Sequence, residues 1–250
     1  MSTDIPKSHP RYESLKRREQ LAEGFKKGFV HETGLIAHGR GEAFDYLLGE
    51  QTIPQAEIAI KTAAAVLCSA KHPVLSLNGN VVALSAKQCV DLAQSIPALL
   101  EVNLFHQSKK RVHLLIEELI KYGAKEVLGN NPSNHIPGLN HNRGWCEKTG
   151  IFAADVVLVP LEDGDRCFAL KQMNKYVITI DLNPLSRTAK TADITIVDNL
   201  TRAVPRLIYW VKKIKSIDIK QKNELKNSWD NANNLHKICQ FLSKSLNQMD

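Results

Sequence analysis

Two short stretches carry residue types suited to holding a nucleotide. In YVITIDLNPLSRT, a β-branched run, 176–180, ends in Asp181, followed by Leu182, Asn183, Ser186, Arg187 and Thr188. In ITIVDN, a second run, 194–197, ends in Asp198 and Asn199. A carboxylate just past a strand accepts hydrogen bonds from ribose hydroxyls, and an arginine beside a threonine holds phosphate. Short continuous apolar runs mark buried parallel strands, and open α/β sheets bind ligands beyond the carboxyl ends of their strands. The same residues also suit ordinary turns, where Asp, Asn, Pro and Ser are favoured for conformational reasons. Local pattern alone leaves both readings open.

Other groups join this set. Arg40 lies between Gly39 and Gly41, ahead of a helical pattern over 42–48, so a helix N-terminus beside a guanidinium is expected to attract an anion. Gly34-x-x-x-x-Gly39 lacks the Lys and Ser/Thr of a phosphate-binding loop. Gly39-x-Gly41-x-x-Phe44 lacks the third glycine of a dinucleotide fingerprint, which argues against a dehydrogenase. IPKSHPRY sets Lys7, His9 and Arg11 among two prolines and reads as an extended basic arm. Asn78 and Asn80 sit in an expected tight turn after a strand at 74–77, and Asn103 near the end of a strand at 99–104. Glu162, Asp163 and Asp165 follow a strand at 155–160; such a cluster holds Mg²⁺ through waters beside a triphosphate, or simply begins a helix. His135 and His141 lie in the long irregular segment 129–150. With no Cys or acid at ligand spacing, that segment reads as a substrate-covering loop rather than a metal site.

The elements that must position these groups follow from periodicity and punctuation. Helices are expected at 14–27, capped by Ser14, at 54–71 with Pro54 in the first turn, at 85–96, and at 108–122 closed by Gly123. A third short strand is expected at 125–128. Further helices fall at 165–173, at 200–215 capped by Asp198, Asn199 or Thr201, and at 227–246, after a solvated lysine-rich connection at 216–224. In the last helix, Trp229, Leu235, Ile238, Phe241, Leu242 and Leu246 form a partial apolar stripe. Alternating strands and helices predict an α/β protein with a doubly wound parallel sheet and extra N-terminal and C-terminal helices. A single domain is expected over 1–250, with an N-terminal arm and helices at 1–71, a sheet core at 72–215 and a C-terminal helical extension at 216–250.

Composition narrows the classes. With 24% charged and 43% hydrophobic residues the chain is ordinary for a soluble domain. Its net charge of +7 permits a polyanionic partner, but six lysines crowd 212–226 and no basic–aromatic interleaving appears, so no nucleic-acid partner is expected. The polar start MSTDIPKSHPRYES predicts no signal peptide, and no apolar run is long enough to span a bilayer. The five cysteines, Cys68, Cys89, Cys146, Cys167 and Cys239, are scattered without a C-x-x-C pair. They suggest a reducing, cytoplasmic setting, with no structural zinc.

Several phrases in order, IPKSHPRY, GLIAHGRGEAFDYLLGE, LSLNGN, EVNLF, HIPGL, ADVVLVPLEDGDR, IDLNPLSRTA and TIVDN, resemble the archaeal phosphopantothenate synthetase (4-phosphopantoate–β-alanine ligase) family over nearly the whole chain. The resemblance implies a Rossmann-like fold, a homodimer, and ligation of 4-phosphopantoate to β-alanine with ATP cleaved to AMP and diphosphate through an acyl-adenylate, in coenzyme A synthesis. By position it implies ATP contacts at Arg18, Arg40, Asp181 to Asn183, Arg187, Thr188, Asp198 and Asn199. Arg40 and Arg187 are expected to act on the triphosphate, and Mg²⁺ to ride on its phosphates. Lys7, His9 and Arg11 are expected at the substrate's phosphate, and Asn78, Asn80 and Asn103 at its pantoate part. The chain departs from the family around 13–17 and 144–148. A ligase for unphosphorylated pantoate and a non-catalytic nucleotide-binding regulator stand as alternatives.

Overall fold

A computed structural model describes residues 5–247; the first four residues of the polar start and the last three of the chain lie outside it. In chain order come α1 (Tyr12–Lys26), α2 (Glu32–Leu47), α3 (Pro54–Ser69), β1 (Pro73–Leu77), α4 (Gly79–Ser95), β2 (Leu99–Val102) and α5 (Lys109–Lys121). The long segment contributes β3 (Asn134–His135) and β4 (Trp145–Cys146). Then follow β5 (Val156–Leu158), α6 (Gly164–Gln172), β6 (Tyr176–Ile180), α7 (Arg187–Thr191), β7 (Ile194–Ile196), α8 (Leu200–Ile214), α9 (Ile219–Asn227) and α10 (Asn231–Asn247).

Five strands form one parallel sheet in the order β2-β1-β5-β6-β7, while β3 and β4 pair separately. Strand order reverses between β1 and β5, so the doubly wound sheet opens a crevice at their carboxyl ends. Alternate residues point to opposite faces. Leu75, Leu77, Val156, Leu158, Ile178, Ile180, Ile194 and Ile196 meet the apolar sides of α3, α4, α5 and α8. Val74, Val157, Val159 and Val177 meet α6 and Ile136, Leu139, Cys146 and Ile151 of the long segment, which covers this face where a crossover helix would otherwise lie. This second face is partly polar. Ser76, Glu101, Thr179 and Thr195 are all buried in it. Each has a partner: Thr179 donates to Val159 O (2.9 Å), Thr195 to Ala189 O (2.7 Å), and Glu101 accepts N–H groups from Glu147 (2.8 Å) and Ile151 (2.6 Å).

Several local expectations give way to tertiary contacts. The arm is not extended: His9 N–H bonds Pro6 O and Tyr12 N–H bonds His9 O, two successive turns, with Pro10 at the turn position its fixed φ favours. α1 begins at Tyr12, so Ser14 lies inside its first turn rather than capping it. α2 begins at Glu32, capped by His31, and runs through Gly34, Gly39 and Gly41. The helical cost of glycine, about 1 kcal/mol each, is met by close packing at Gly34, where a Cβ would stand 2.5 Å from Asn80 Oδ1. Arg40 is therefore in mid-helix, and the helix-terminus argument for it fails. Asn78-Gly79-Asn80 is no turn but the start of α4, with Asn78 accepting Val81 N–H (3.1 Å); the helix bends later, at Ser85. Gly79 is required there, because a Cβ would lie 2.1 Å from Phe29 O. The strand expected at 125–128 shrinks to one bridge, Glu101–Leu128, before Gly129 (φ +123°) turns the chain away. The lysine-rich 216–224 is largely helical: α9 is capped by Asp218 and buries no residue. α10 starts at Asn231 and buries Leu235, Ile238 and Leu242, while Leu246 is exposed and Trp229, before the helix, donates to Asp193 O.

Candidate active site

Beyond β6 the chain is tied into a tight loop. Asp181 accepts from Asn183 N–H (2.9 Å) and Ser186 Oγ (2.5 Å), Asn183 Oδ1 accepts from Leu185 N–H (2.9 Å), and Ser186 caps α7 through Ala189 N–H (2.9 Å). Burial pushes the Asp181 carboxyl up; the Ser186 and Asn183 bonds and the charge of Arg40 pull the other way without overcoming it. Leu182 turns its side chain into a small core with Leu48, Ile53 and Val197, leaving only its backbone at the loop. Thr188 is buried and donates to Glu162 O (2.8 Å), so its hydroxyl locks α7 onto the β5 end. Arg187 is exposed, with no carboxylate partner among the described residues. Its Cβ lies where a Cβ on Gly164 would come within 2.5 Å, which packs the N-termini of α6 and α7 together.

Asp198 and Asn199 lie behind this loop and hold α2. Fully buried Asp45 of α2 accepts from Arg202 Nη2 (2.5 Å), Asn199 Nδ2 (3.0 Å) and Arg17 Nη2 (3.4 Å). Asp198 accepts from Thr52 Oγ1 (2.6 Å) and Arg202 Nε (2.8 Å); burial pushes its carboxyl up against the pull of Arg202. Asn199 also caps α8 through Thr201 N–H. Anchored in this way, α2 carries exposed Arg40 close enough to Asp181 for its charge to act there. A Cβ on Gly39 would meet nothing within 4 Å. Packing does not require glycine at that point, and the bare backbone faces a groove of about 450 Å³ between α1 and α2, lined by Arg18, His38, Glu42 and Tyr46 among others. Arg18 Nε bonds both oxygens of Glu42 (2.9 and 3.1 Å), and Arg18 and Arg11 converge on Tyr46 Oη (3.3 and 3.0 Å). Burial lowers the His38 pKa, and its Nε2 is buried without a partner. Lys7 and His9 are exposed in the preceding turns, with His9 Nδ1 accepting Arg11 N–H.

The crevice holds the three asparagines, all engaged within the protein. Asn78 donates to Leu161 O (3.0 Å) and Pro160 O (3.3 Å), tying β1 to β5 across the reversal. Asn80 donates to Gly34 O (2.8 Å), and Asn103 to Trp145 O (3.0 Å) and Arg143 O (3.3 Å). Among the described residues no hydrogen bond links Lys7, His9 or Arg11 to these asparagines. Two arginines not singled out in the sequence complete the crevice. Arg143 Nη1 meets Glu162 Oε1 (2.7 Å) and Asp163 (2.6 Å), and Nη2 meets Glu162 Oε2 (2.9 Å). Arg166, fully buried, also bonds Glu162 and reaches Ser76 Oγ (3.2 Å). Asp165 pairs with His141 (3.0 Å); burial opposes its charge, but the His141 bond and the Arg166 N–H together hold it below the usual range. Among the described residues no three His, Cys, Asp or Glu side chains converge to hold a metal. The 162–166 spacing was a legible i,i+4 signal for the Glu162–Arg166 pair; nothing local signalled Arg143 or Asp45.

The fold is that of a doubly wound α/β protein, with arginines that have no carboxylate partner among the described residues beside a hydrogen-bonded Asp–Asn loop at its carboxyl edge. The model of the phosphopantothenate/pantothenate synthetase family matches residues 55–245, and the chain belongs to that family. It is similar to the 4-phosphopantoate–β-alanine ligase of Thermococcus kodakarensis, 50% identical over 247 residues, 98% of this chain and 95% of the relative. Relatives of the same name from Thermococcus onnurineus (51%; 98% and 94% covered) and Methanosarcina mazei (50%; 99% and 97% covered) are equally similar. Among the described residues no helix is long and apolar enough to cross a membrane.

Proposed function

We propose that this protein is a cytoplasmic, single-domain, ATP-dependent ligase that joins 4-phosphopantoate to β-alanine, giving 4′-phosphopantothenate, AMP and diphosphate, for coenzyme A synthesis. The observation that carries the site assignment is the pair of exposed arginines, Arg40 and Arg187, which have no carboxylate partner among the described residues and flank the Asp181 loop at the carboxyl end of β6. Half of the residues match those of relatives bearing that name along nearly the whole chain, which supports the reaction.

The carboxylate of the acid attacks the α-phosphorus of ATP and diphosphate leaves. The amine of β-alanine then attacks the acyl carbon, loses a proton, and AMP leaves. Two anions must meet in the first step, so fixed cations are the main catalytic resource. Asp181, the Leu182 backbone and Asn183 hold the nucleoside. Arg40 and Arg187 hold the triphosphate, with Arg18 assisting from the groove. Thr188, Asp198 and Asn199 act through their neighbours: Thr188 fixes α7, and the other two fix α2. Lys7, His9 and Arg11 meet the phosphate of the acid. Asn78, Asn80 and Asn103 shape the crevice for its pantoate part by tying together the segments that wall it. Glu162, Asp163 and Asp165 already have cationic partners, so Mg²⁺ enters with the phosphates of ATP, with Asp163 and Asp165 nearby. A second copy of the chain covers α2 in a homodimer. That helix turns Glu42 and Asp45 inward and leaves Ile36 74% exposed, the reverse of a helix that faces water.

The test is AMP release from ATP by purified protein with each acid substrate supplied or omitted. AMP formed only with both 4-phosphopantoate and β-alanine, in step with 4′-phosphopantothenate, is the expected result. Equal turnover of plain pantoate would overturn the phosphorylated substrate, and ADP in place of AMP would overturn the adenylate.

A further inference from the structure

A second cavity, about 520 Å³, opens where the last turn of α1 meets the first turns of α5. Phe25, Lys26, Lys27, Gly28, Val30, His31 and Glu32 line one side, and Lys110, Arg111 and Leu114 the other. Four cations thus face one carboxylate. Lys27 shares Glu23 at 3.6 Å, but both side chains are more than half exposed, so the pair holds little of its charge. Arg111 differs from the lysines. It is half-buried, and among the described residues its guanidinium donates only to carbonyls: Phe29 O (2.7 Å), Gly28 O (3.3 Å) and His106 O (2.6 Å). Carbonyls fix its orientation but leave its charge uncompensated, a state that an incoming anion relieves. Burial alone lowers its pKa, with no carboxylate acting against it. The first turn of α5 adds N–H groups of Lys109 and Lys110 that have no intrahelical partner. Phe25, Val30 and Leu114 make the rest of the wall apolar.

We propose that this cavity is a binding site for an organic phosphate, its phosphoryl group held by Lys26, Lys110 and Arg111 and its carbon part resting on Phe25, Val30 and Leu114. The site is separate from the Asp181–Arg187 rim. It is nevertheless connected to the crevice, because Arg111 holds Phe29 O, and that carbonyl abuts Gly79 at the start of α4. An occupant that draws Arg111 forward therefore acts on the segment that presents Asn78 and Asn80.

His31 and His106 stack at 3.8 Å, and His31 lines the cavity. They report on occupancy independently of turnover. Inorganic phosphate and phenyl phosphate are titrated into ¹³C-histidine-labelled protein, with the His31 and His106 ring signals followed by NMR. Expected are saturable shifts, with phenyl phosphate binding more tightly than phosphate because of the apolar wall. In Lys26→Glu/Lys110→Glu binding weakens at least about tenfold, roughly 1.4 kcal/mol, whereas Lys212→Glu/Lys213→Glu, with the same change of net charge, binds as the parent does. Shifts that never saturate, or that weaken equally in both double variants, would overturn the site, since both outcomes mean diffuse charge attraction. Saturable shifts that persist undiminished in Lys26→Glu/Lys110→Glu would mean phosphate bound elsewhere, at the rim, and would overturn the site, so the two sites are read apart.

Discussion

The charges inside the crevice and those along its rim are two different populations. Arg143, Arg166, Glu162, Asp45 and Arg202 are buried or nearly so, and each is bonded to a charge of opposite sign. Arg40 and Arg187 are exposed and have no carboxylate partner among the described residues. The first population positions the chain: it ties the long segment to α6, and α2 to α8. The second, on the proposed function, is left for ligands. On the proposed function, a cation marked for binding is one left unpaired beside a backbone cradle, and each prediction below tests one side of that contrast.

The largest effect is expected from the inner set. Glu162→Gln leaves Arg166, fully buried, without its counter-charge and weakens Arg143 as well. Breaking a buried pair from one side costs about 3–5 kcal/mol. Chemical denaturation should show a loss of that order. A change under about 1 kcal/mol would mean that the inner charges are not structural.

Next comes the rim. Arg187→Ala should leave the unfolding midpoint nearly unchanged and lower AMP release about 10²–10³-fold, the usual consequence of removing one group that stabilises developing charge. Near-normal turnover by the folded variant would remove Arg187 from the chemistry.

Which of the two populations the sequence reveals follows from the range of the interactions. The strand ends were legible because β-branched runs, Asp–Asn loops and a cap such as Asn199 act within a few residues, whereas the short α7 capped by Ser186 was not foreseen. The parallel sheet was therefore legible, and with it the strand ends on which the proposed rim residues lie. Arg143 was hidden, because its partners lie 19, 20 and 40 residues away and its own surroundings are glycine and asparagine. α2 was half hidden for the opposite reason. Its three glycines argue locally against a helix, and only Asp45, held by residues more than 150 positions later, and the fit of Gly34 against Asn80 explain why one forms.

Glu101 lies between the two populations, a buried charge with no cationic hydrogen-bond partner. Burial pushes its carboxyl up to about 7, and the N–H groups of Ile151 and Glu147 offset this only in part. The folded pKa is above the ordinary 4.5, so the folded state binds the extra proton between these values. Its contribution to stability is complete below about pH 4.5 and is lost as pH rises through about 7. The span corresponds to roughly 3 kcal/mol. Glu101→Gln, which cannot ionise, should thus gain on the parent by about that amount between pH 4.5 and 8, whatever its baseline cost. A stability difference independent of pH would show that Glu101 stays ionised and that the long segment is pinned by a permanent charge.

The smallest effect sharpens the rule from outside the site. Lys220, Lys222 and Lys226 of α9 are as unpaired as the rim arginines, yet α9 buries nothing, and Lys226 does no more than lie over the Tyr176 ring at 4.9 Å. If availability alone marked a binding cation, these lysines would qualify. What they lack is a backbone cradle: among the described residues no carboxyl strand end and no Asp–Asn loop adjoins them, and Tyr176 is the amino end of its strand. Replacing all three with alanine should change stability by less than about 0.5 kcal/mol each and leave AMP release and its dependence on ATP unaltered. A marked rise in the KM for ATP would mean that long-range attraction by the basic extension brings the nucleotide in. Screening separates that case, because such attraction fades as added salt shortens the Debye length to about 3 Å at 1 M, whereas contacts at Arg40 and Arg187 persist.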